Sequence, residues 1–381
     1  MLGRQHMNRF VRSLRSGGLR TVSAAAAIVA AAAALYVGLS YASGGSGGSL
    51  PRQTGPTQPH VTTPATTPAQ GQGNQSHTVD GVTQSPEITY GDDGYFAQGC
   101  SGPSSKLHYI VFYPSSPGPH PIVFGMSGSG FAGNAGCDPK IGKDQYQTFD
   151  FEMREWAKAG FVAVNIEYHG FQNGLYGDTT YPGRGKWGTA ADGIVQLDVK
   201  PAVEYFFAHN PGQYGADERQ GVIAFGGSSG AHNAYMLSLT GVPGHRIWAA
   251  AGWSGLPDAS LGGSVAERVF DAYMQTQPGT DVENFGDPEH RISAKSPPQY
   301  IANGTAEFIS AANAEHYFQT CRQLKVSLCY ERIVNTSAHA GEYEDYVFTG
   351  SPPEITIPQA VKGRTVLEDT IAFADTVLHR K

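Results

Sequence analysis

Short apolar runs alternate with longer segments of helical periodicity from about residue 105 onward. Several of the runs have no polar face, as expected for central strands of a parallel sheet that is covered on both sides. Strands are predicted at Leu107–Tyr113, Pro121–Gly125, Phe161–Tyr168, Gly221–Phe225, Trp248–Trp253, Gln299–Asn303 and Ser327–Val334. Helices are predicted at Phe149–Ala159, Val195–His209, Ala231–Leu239, Ala312–Leu324 and Val366–His379. This alternation is typical of an α/β domain with a mostly parallel central sheet flanked by helices.

Changes in composition divide the chain into three parts. Residues 43–85 are rich in Gly, Ser, Thr, Pro and Gln and contain little to bury, which predicts a disordered linker. Residues 86–381 have the length of one large α/β domain. Within it, the stretch from Pro257 to Pro298 carries charge and little periodicity, so a short cap or excursion between two strands is predicted there.

Residues 1–42 have the features of a membrane-targeting segment. Several Arg residues precede Val22, and Val22 to Ala42 carry no charge. The most apolar part, Ala24 to Val37, is mostly alanine and short for a membrane span, which favours a signal peptide cleaved after Ala42 over a retained N-terminal anchor. Both outcomes predict export, either to the extracellular space or to the outer face of the cytoplasmic membrane. The alternative is a buried alanine-rich helix of a soluble protein.

The formal net charge of −7 hides an asymmetry. No acidic residue precedes Asp80, so residues 80–381 hold 20 Lys and Arg against 33 Asp and Glu, a net charge of −13. A surface of this sign repels phosphate backbones, and no nucleic-acid partner is expected. Membrane contact is expected only through the N-terminal segment.

The chain has four cysteines, an even number that is consistent with an oxidising compartment. Three pairings are open. Cys321 and Cys329 would close a short loop between a helix end and the next strand, which favours that pair and leaves Cys100 with Cys137. Buried free thiols are the alternative, above all for the second pair.

A G-x-S-x-G motif centres on Ser228, directly after the apolar run VIAF and directly before AHNAYMLSLT. This context is strand, tight turn and helix. A serine on such a turn presents its hydroxyl above the sheet, and only glycines two residues to either side let strand and helix approach closely. Ser228 is therefore the predicted nucleophile.

A serine nucleophile needs a base and an orienting acid, which follow in the loops after later strands. After QYIAN comes Gly304-Thr305-Ala306-Glu307, and after SLCYERIV comes a loop that contains His339. We predict His339 as the general base and Glu307 as its orienting carboxylate. Asp258, just after WAAAGW, is the alternative acid.

Acyl transfer also needs backbone donors for the oxyanion. The amide of Ser229, next to the nucleophile, is one predicted donor. The second is expected from the glycine-rich loop after PIVFG, where Gly128 and Ser129 are the candidates.

Three segments together resemble α/β-hydrolase carboxylesterases of the hormone-sensitive-lipase-like and feruloyl-esterase-like group. The run YGADER…VIAFGGSSGAH is similar to their Y-G-x-D-x-x-R…G-G-S-x-G-G-H, IANGTAEF to their H-G-T-A-D loop, and SAHAG to the loop that carries their histidine. The resemblance implies the α/β-hydrolase fold and hydrolysis of carboxylic esters through an acyl-enzyme, without a metal or organic cofactor. The chain departs from it at Glu307, where an aspartate is usual, at Ala231 for a glycine, and at SGSG, where the group has H-G-G-G.

Aromatic residues near the carboxyl ends of the predicted strands are candidates for the wall of a substrate pocket. These are Phe131, Tyr168, Phe171 and Trp253. His232, beside the nucleophile, is interpreted as a packed helix residue, and no spacing typical of a metal site occurs, so no catalytic metal is expected.

The expected substrate is a small-molecule, lipid or polysaccharide ester. Three alternatives stay open from the sequence: a serine peptidase of prolyl-oligopeptidase type, a cell-wall acyltransferase, and a non-catalytic surface binding protein.

Overall fold

The structure is a computed structural model that describes residues 76–91, 107–128, 145–168, 195–209, 211–257, 288–307 and 309–380. All of them lie in the unit formed by Gly71–Lys381. Its strands are β1 His77–Val79, β2 Val82–Gln84, β3 Ile88–Gly91, β4 Leu107–Pro114, β5 Ile122–Met126, β6 Val162–Ile166, β7 Val222–Gly227, β8 Ala249–Trp253, β9 Gln299–Gly304, β10 Cys329–Val334 and β11 Ile355–Ile357. Its α-helices are α1 Asp150–Lys158, α2 Lys200–Ala208, α3 Ser229–Thr240, α4 Pro288–Arg291, α5 Ala311–Gln323 and α6 Val366–Val377.

The described strands form one sheet in the order β1-β2-β4-β6-β5-β7-β8-β9-β10-β11, with β3 paired to β4. The strands from β6 through β10 in this order are parallel, whereas the pairs at the two ends of the sheet are antiparallel. Gly227 at the end of β7 lies opposite Trp253 on β8, and Trp253 lies opposite Ala302 on β9. The loops after these strands therefore meet at one edge of the sheet.

Two hydrophobic layers cover the sheet, one on each face. One layer contains Phe206 of α2, Tyr235 of α3 and Tyr317 of α5. The other contains Trp156 of α1 and Phe373 of α6. The central strands β5, β6, β7, β8 and β9 are buried along their whole length, which is why their sequences are apolar on both faces.

The predicted α/β architecture is confirmed, and each predicted strand and helix has a counterpart within a few residues. The helix predicted from Val195 differs: its first turn, Val195–Val199, is a π-helix, and the α-helix begins at Lys200 with a proline in its first turn. Proline is accepted there because the first helical N–H groups have no intrahelical acceptor.

The sheet also extends beyond the predicted boundary, and this corrects the prediction of a linker up to residue 85. Strands β1 and β2 lie inside that segment, and Val82 is buried against the core. These strands were missed because HTV and VTQ are too short and too polar to show an apolar alternation. Strands β3 and β11 were missed because ITYG and ITI are too short to indicate a strand.

Within the described part of the chain, no helix combines the length and the apolar character needed to cross a membrane. The predicted targeting segment at residues 1–42 lies outside the described residues.

Candidate functional site

The site centres on Ser228, in the turn between β7 and α3. Its backbone has φ 55° and ψ −125°, a conformation that side chains with a Cβ rarely adopt. The turn is held in place by the Ser228 amide, which donates to the Trp253 carbonyl oxygen at 2.7 Å. The strain is thus built into the sheet edge, as expected for a nucleophile elbow.

The two flanking glycines have a steric explanation in the structure. A Cβ on Gly226 would lie 2.2 Å from the Gly230 oxygen, and a Cβ on Gly230 would lie 2.0 Å from the Met126 oxygen. No side chain fits at either distance. The packing requires glycine at both positions, because strand and helix approach closely there, as predicted for the motif.

Helix α3 starts at Ser229, directly after Ser228. Its residues from Ser229 to Ser238 are all buried, so it is packed between the sheet and its neighbours. The positive end of the helix dipole therefore adjoins Ser228, where it favours negative charge.

Glu307 and His339 come together at the ends of β9 and β10. Glu307 Oε2 lies 3.0 Å from His339 Nδ1, and the exposed fractions of the two side chains are 0% and 13%. The bond to Nδ1 leaves Nε2 as the ring nitrogen that can exchange a proton with a hydroxyl. Buried carboxylate and imidazole therefore form the pair that general-base catalysis requires.

The loop that contains His339 lies next to the turn that contains Ser228. A Cβ on Gly227 would lie 3.1 Å from the Cβ of Ala340, the residue after His339. The loop is fixed locally, because the His339 amide donates to Glu342 Oε2 at 3.0 Å. The sequence separates Ser228 and His339 by more than a hundred residues, and the sheet order brings their loops together.

Ser254 is a buried residue that sequence reasoning missed. Its hydroxyl donates to Glu307 Oε2 at 2.8 Å and accepts from the Ala340 amide at 2.8 Å. In the sequence, the only indication was that a hydroxyl residue directly follows β8, the strand that pairs with β7 at the edge where the site forms.

Gly128 adjoins Ser228 from the end of β5. A Cβ on Gly128 would lie 2.7 Å from the Cβ of Ser228, so the backbone here approaches that side chain closely. Tyr168 is fully buried, its hydroxyl donates to the Ser127 carbonyl at 2.7 Å, and it lies 3.1 Å from Ser229 Oγ. One tyrosine thus contacts both segments that were predicted to supply oxyanion donors.

Comparisons with known proteins agree with this architecture. No family model and no curated protein matches the chain. Among solved structures, apo esterase 2 from Thermogutta terrifontis superposes with a TM-score of 0.50 at 18% identity over 80% of this chain and 96% of that chain. The Lactobacillus rhamnosis esterase B inhibited by a tributyrin phosphonate gives 0.50 at 13% identity, over 68% of this chain and 76% of that chain.

A bifunctional GH43-CE protein from Bacteroides eggerthii also gives 0.50, at 18% identity over 69% of this chain and 36% of that chain. The chain has the α/β-hydrolase fold.

Placing the predicted residues in the α/β-hydrolase fold brings two corrections. Trp253 does not wall a pocket: it is fully buried, and its indole N–H donates to Thr370 of α6 at 3.0 Å. Because β8 is apolar on both faces, its sequence gives no sign of which face Trp253 occupies. Tyr168 is likewise fully buried against Ser127 and Ser229 and does not line a pocket.

Several predicted residues lie outside the described residues. These are Ser129, Phe131, Phe171, Asp258, Cys100 and Cys137. Cys321 and Cys329 are joined by a disulfide, with Cα atoms 6.5 Å apart.

His232 is a packed helix residue, as interpreted from the sequence. It is fully buried, Nδ1 lies 3.0 Å from the Leu256 carbonyl oxygen, and burial lowers its pKa to about 4. A histidine with that pKa stays neutral at physiological pH. In the described ranges, no three His, Cys, Asp or Glu side chains are grouped as metal ligands.

Proposed function

We propose that this α/β-hydrolase is an exported serine hydrolase of carboxylic esters, with Ser228 as nucleophile, His339 as general base and Glu307 as orienting acid. The observation that carries the proposal is the strained Ser228 turn at the same sheet edge as the buried Glu307–His339 pair. Strain of this kind persists where the surrounding structure enforces it, and it is concentrated at functional sites.

The proposed reaction has two halves. His339 Nε2 takes the hydroxyl proton of Ser228 while the oxygen attacks the ester carbonyl, and the protonated ring then gives that proton to the leaving alcohol. The acyl group remains on Ser228. Water, deprotonated by His339, then attacks the acyl-enzyme, which releases the carboxylic acid and restores the serine.

The negative oxygen formed in each half needs donors. The Ser229 amide and the loop at Gly128 and Ser129 are proposed to supply them, supported by the close approach of Gly128 to Ser228 and by Tyr168 beside Ser229. Each donor of this type contributes about 3 kcal/mol to the transition state.

Related folds support the choice of ester substrates, since the neighbours with a TM-score of 0.50 include proteins described as esterases. One of them is described as inhibited by a tributyrin phosphonate, which makes short-chain esters a suitable first probe. Export is supported by the basic and then apolar N-terminal sequence and by a disulfide in the catalytic unit.

The test is hydrolysis of p-nitrophenyl esters from acetate to palmitate by the full chain and by the Ser228→Ala variant. We expect turnover by the wild type and a loss on the order of 10⁶-fold in kcat for the variant. A fluorophosphonate probe should label the wild type and not the variant. Equal turnover by both proteins would rule out Ser228 as the nucleophile.

Product analysis separates hydrolysis from acyl transfer. With an added alcohol acceptor, a hydrolase releases mainly the free acid, whereas an acyltransferase yields a new ester. Fractionation of the producing cells tests export, and a protein confined to the cytosol would contradict it.

A further inference from the structure

The segment after β8 has no part in the proposed reaction, yet it contacts both the acid and the histidine loop. We propose that Ser254 is a positioning residue of the site, whose hydroxyl holds Glu307 against His339 and ties the pair to the backbone of the histidine loop. This inference rests on the proposed function, since it concerns how the same acid and base are aligned.

The direction of the hydrogen bonds supports this role. The Ala340 amide donates to Ser254 Oγ at 2.8 Å, so the hydroxyl acts there as an acceptor. The single hydroxyl proton is then directed to Glu307 Oε2, also at 2.8 Å. Oε2 is the same oxygen that lies 3.0 Å from His339 Nδ1.

Glu307 is constrained at both carboxylate oxygens. Oε1 accepts from the Gly304 amide at 3.3 Å, while Oε2 faces Ser254 and His339. A glutamate has one more rotatable bond than an aspartate, and each free bond widens the range of positions that the carboxylate can occupy. The hydrogen bond from Ser254 restricts that range at Oε2, the oxygen that faces His339.

Burial makes the arrangement rigid. Ser254 is fully buried, as is the Glu307 side chain, so water does not compete for these bonds. Ser254 also has φ 51°, an unfavourable value for a residue with a Cβ, while its amide donates to the Ala302 carbonyl at 2.8 Å. The surrounding strands thus hold the hydroxyl between the two loops at the cost of local backbone strain.

Ser254→Ala removes the hydroxyl and keeps the Cβ. Because the lost bond is made to a carboxylate, we expect kcat for ester hydrolysis to fall by about tenfold to a hundredfold. KM should stay unchanged, since a fully buried side chain does not contact substrate. Ser254→Gly also removes the hydroxyl and relaxes the backbone at φ 51°, so it serves where the alanine variant is too unstable.

A matched control is Ser85→Ala. Ser85 is also buried, accepts from the Val111 amide at 2.9 Å and donates to the Pro86 carbonyl at 2.8 Å, but it lies on the β2 side of the sheet. Its removal also costs one bond from a backbone amide and one bond donated by the hydroxyl, here to a neutral carbonyl and not to Glu307. We expect kcat within about twofold of wild type for this control.

A double-mutant cycle separates positioning from general packing. In a Glu307→Gln background, Ser254→Ala should change kcat by less than about twofold, because the carboxylate through which it acts is gone. An equal loss in both backgrounds would overturn the inference. So would an unchanged kcat in both Ser254 variants.

A spectroscopic measurement does not depend on turnover. The imidazole Nδ1–H proton bonded to Glu307 should give a downfield proton resonance that is protected from exchange in the wild type and in Ser85→Ala. In Ser254→Ala this resonance should broaden or disappear, and its persistence unchanged would overturn the inference. If the wild type shows no serine-dependent turnover, the proposed function fails, and this resonance still decides the role of Ser254.

Discussion

Two buried carboxyl groups contact the loop of His339, and their surroundings differ. Glu307 is bonded to Ser254, Gly304 and His339. Glu152 of α1 is 1% exposed, and its Oε1 would lie 3.0 Å from a Cβ on Gly341. Its Oε2 has no hydrogen-bond partner among the described residues.

The surroundings of Glu152 affect its protonation. Burial, with smaller contributions from nearby Glu344 and Asp150, raises the pKa of Glu152 to about 9, so it is mostly protonated at neutral pH. Asp150 is an intermediate case: burial raises its pKa to about 7, although Asn165 donates to it at 2.8 Å. Burial alone therefore produces a neutral carboxyl, and aimed donors are what suit a buried carboxyl to a charged role.

The largest expected effect comes from replacing the carboxyl group of Glu307, which is hydrogen-bonded to Ser254, Gly304 and His339. Glu307→Gln keeps the shape of the side chain but cannot orient and stabilise the His339 imidazolium. We expect kcat for p-nitrophenyl butyrate to fall on the order of 10³- to 10⁴-fold. Steady-state kinetics check this, with circular dichroism to verify that the variant is folded.

The matched control for Glu307→Gln is Asp258→Asn, at the alternative acid predicted from the sequence. We expect this variant to keep kcat within about threefold of wild type. A large loss in Asp258→Asn with a small one in Glu307→Gln would transfer the role of the acid to Asp258.

A smaller effect, on stability, is expected from replacing the carboxyl group of Glu152. Below its ordinary pKa of 4.5, Glu152 is protonated in both the folded and the unfolded chain. Between 4.5 and about 9 the unfolded chain releases this proton while the folded chain retains it, so the free energy of unfolding falls as pH rises. Glu152→Gln removes the penalty and should stabilise the protein by about 1–3 kcal/mol at pH 8, with no gain at pH 4.

Chemical denaturation at the two pH values measures this gain. Glu155→Gln on the same helix is the control, because Glu155 is partly exposed and bonded to Lys158 at 2.6 Å. It should shift stability by less than about 0.5 kcal/mol at either pH. A destabilised Glu152→Gln at pH 8 would mean that the buried carboxyl is charged, and the contrast with Glu307 would then fail.

The smallest expected effect concerns the hydroxyl of Tyr168, a neutral group at the same edge of the sheet as Glu307. Tyr168→Phe removes the hydroxyl that contacts Ser127 and Ser229. Since a neutral hydrogen bond contributes less than one to a charged group, we expect kcat to fall only about threefold to tenfold, with KM unchanged.

Tyr235→Phe is the matched control for Tyr168→Phe. Its hydroxyl is equally buried and donates to the Gly252 carbonyl at 3.1 Å, away from the oxyanion segments. If both variants lose the same activity, the hydroxyl of Tyr168 acts only through packing.

Several features of the molecule follow from consecutive residues alone. The apolar runs specify the central strands, and the glycines around Ser228 specify a turn whose close contacts exclude any Cβ. The order of the elements along the chain then places Glu307 and His339 in loops that follow strands later than β7. These features follow from local sterics and from periodicity, which neighbouring residues encode.

Tertiary packing established which partners each side chain has. It assigned Trp253 to the core beside α6, Tyr168 to the oxyanion segments, and Ser254 to the acid, and it left Glu152 buried with few donors. Hydrogen-bond partners and burial depend on residues that are distant along the chain. The raised pKa of Glu152 follows from such distant contacts, and the residues beside it in the sequence do not reveal it.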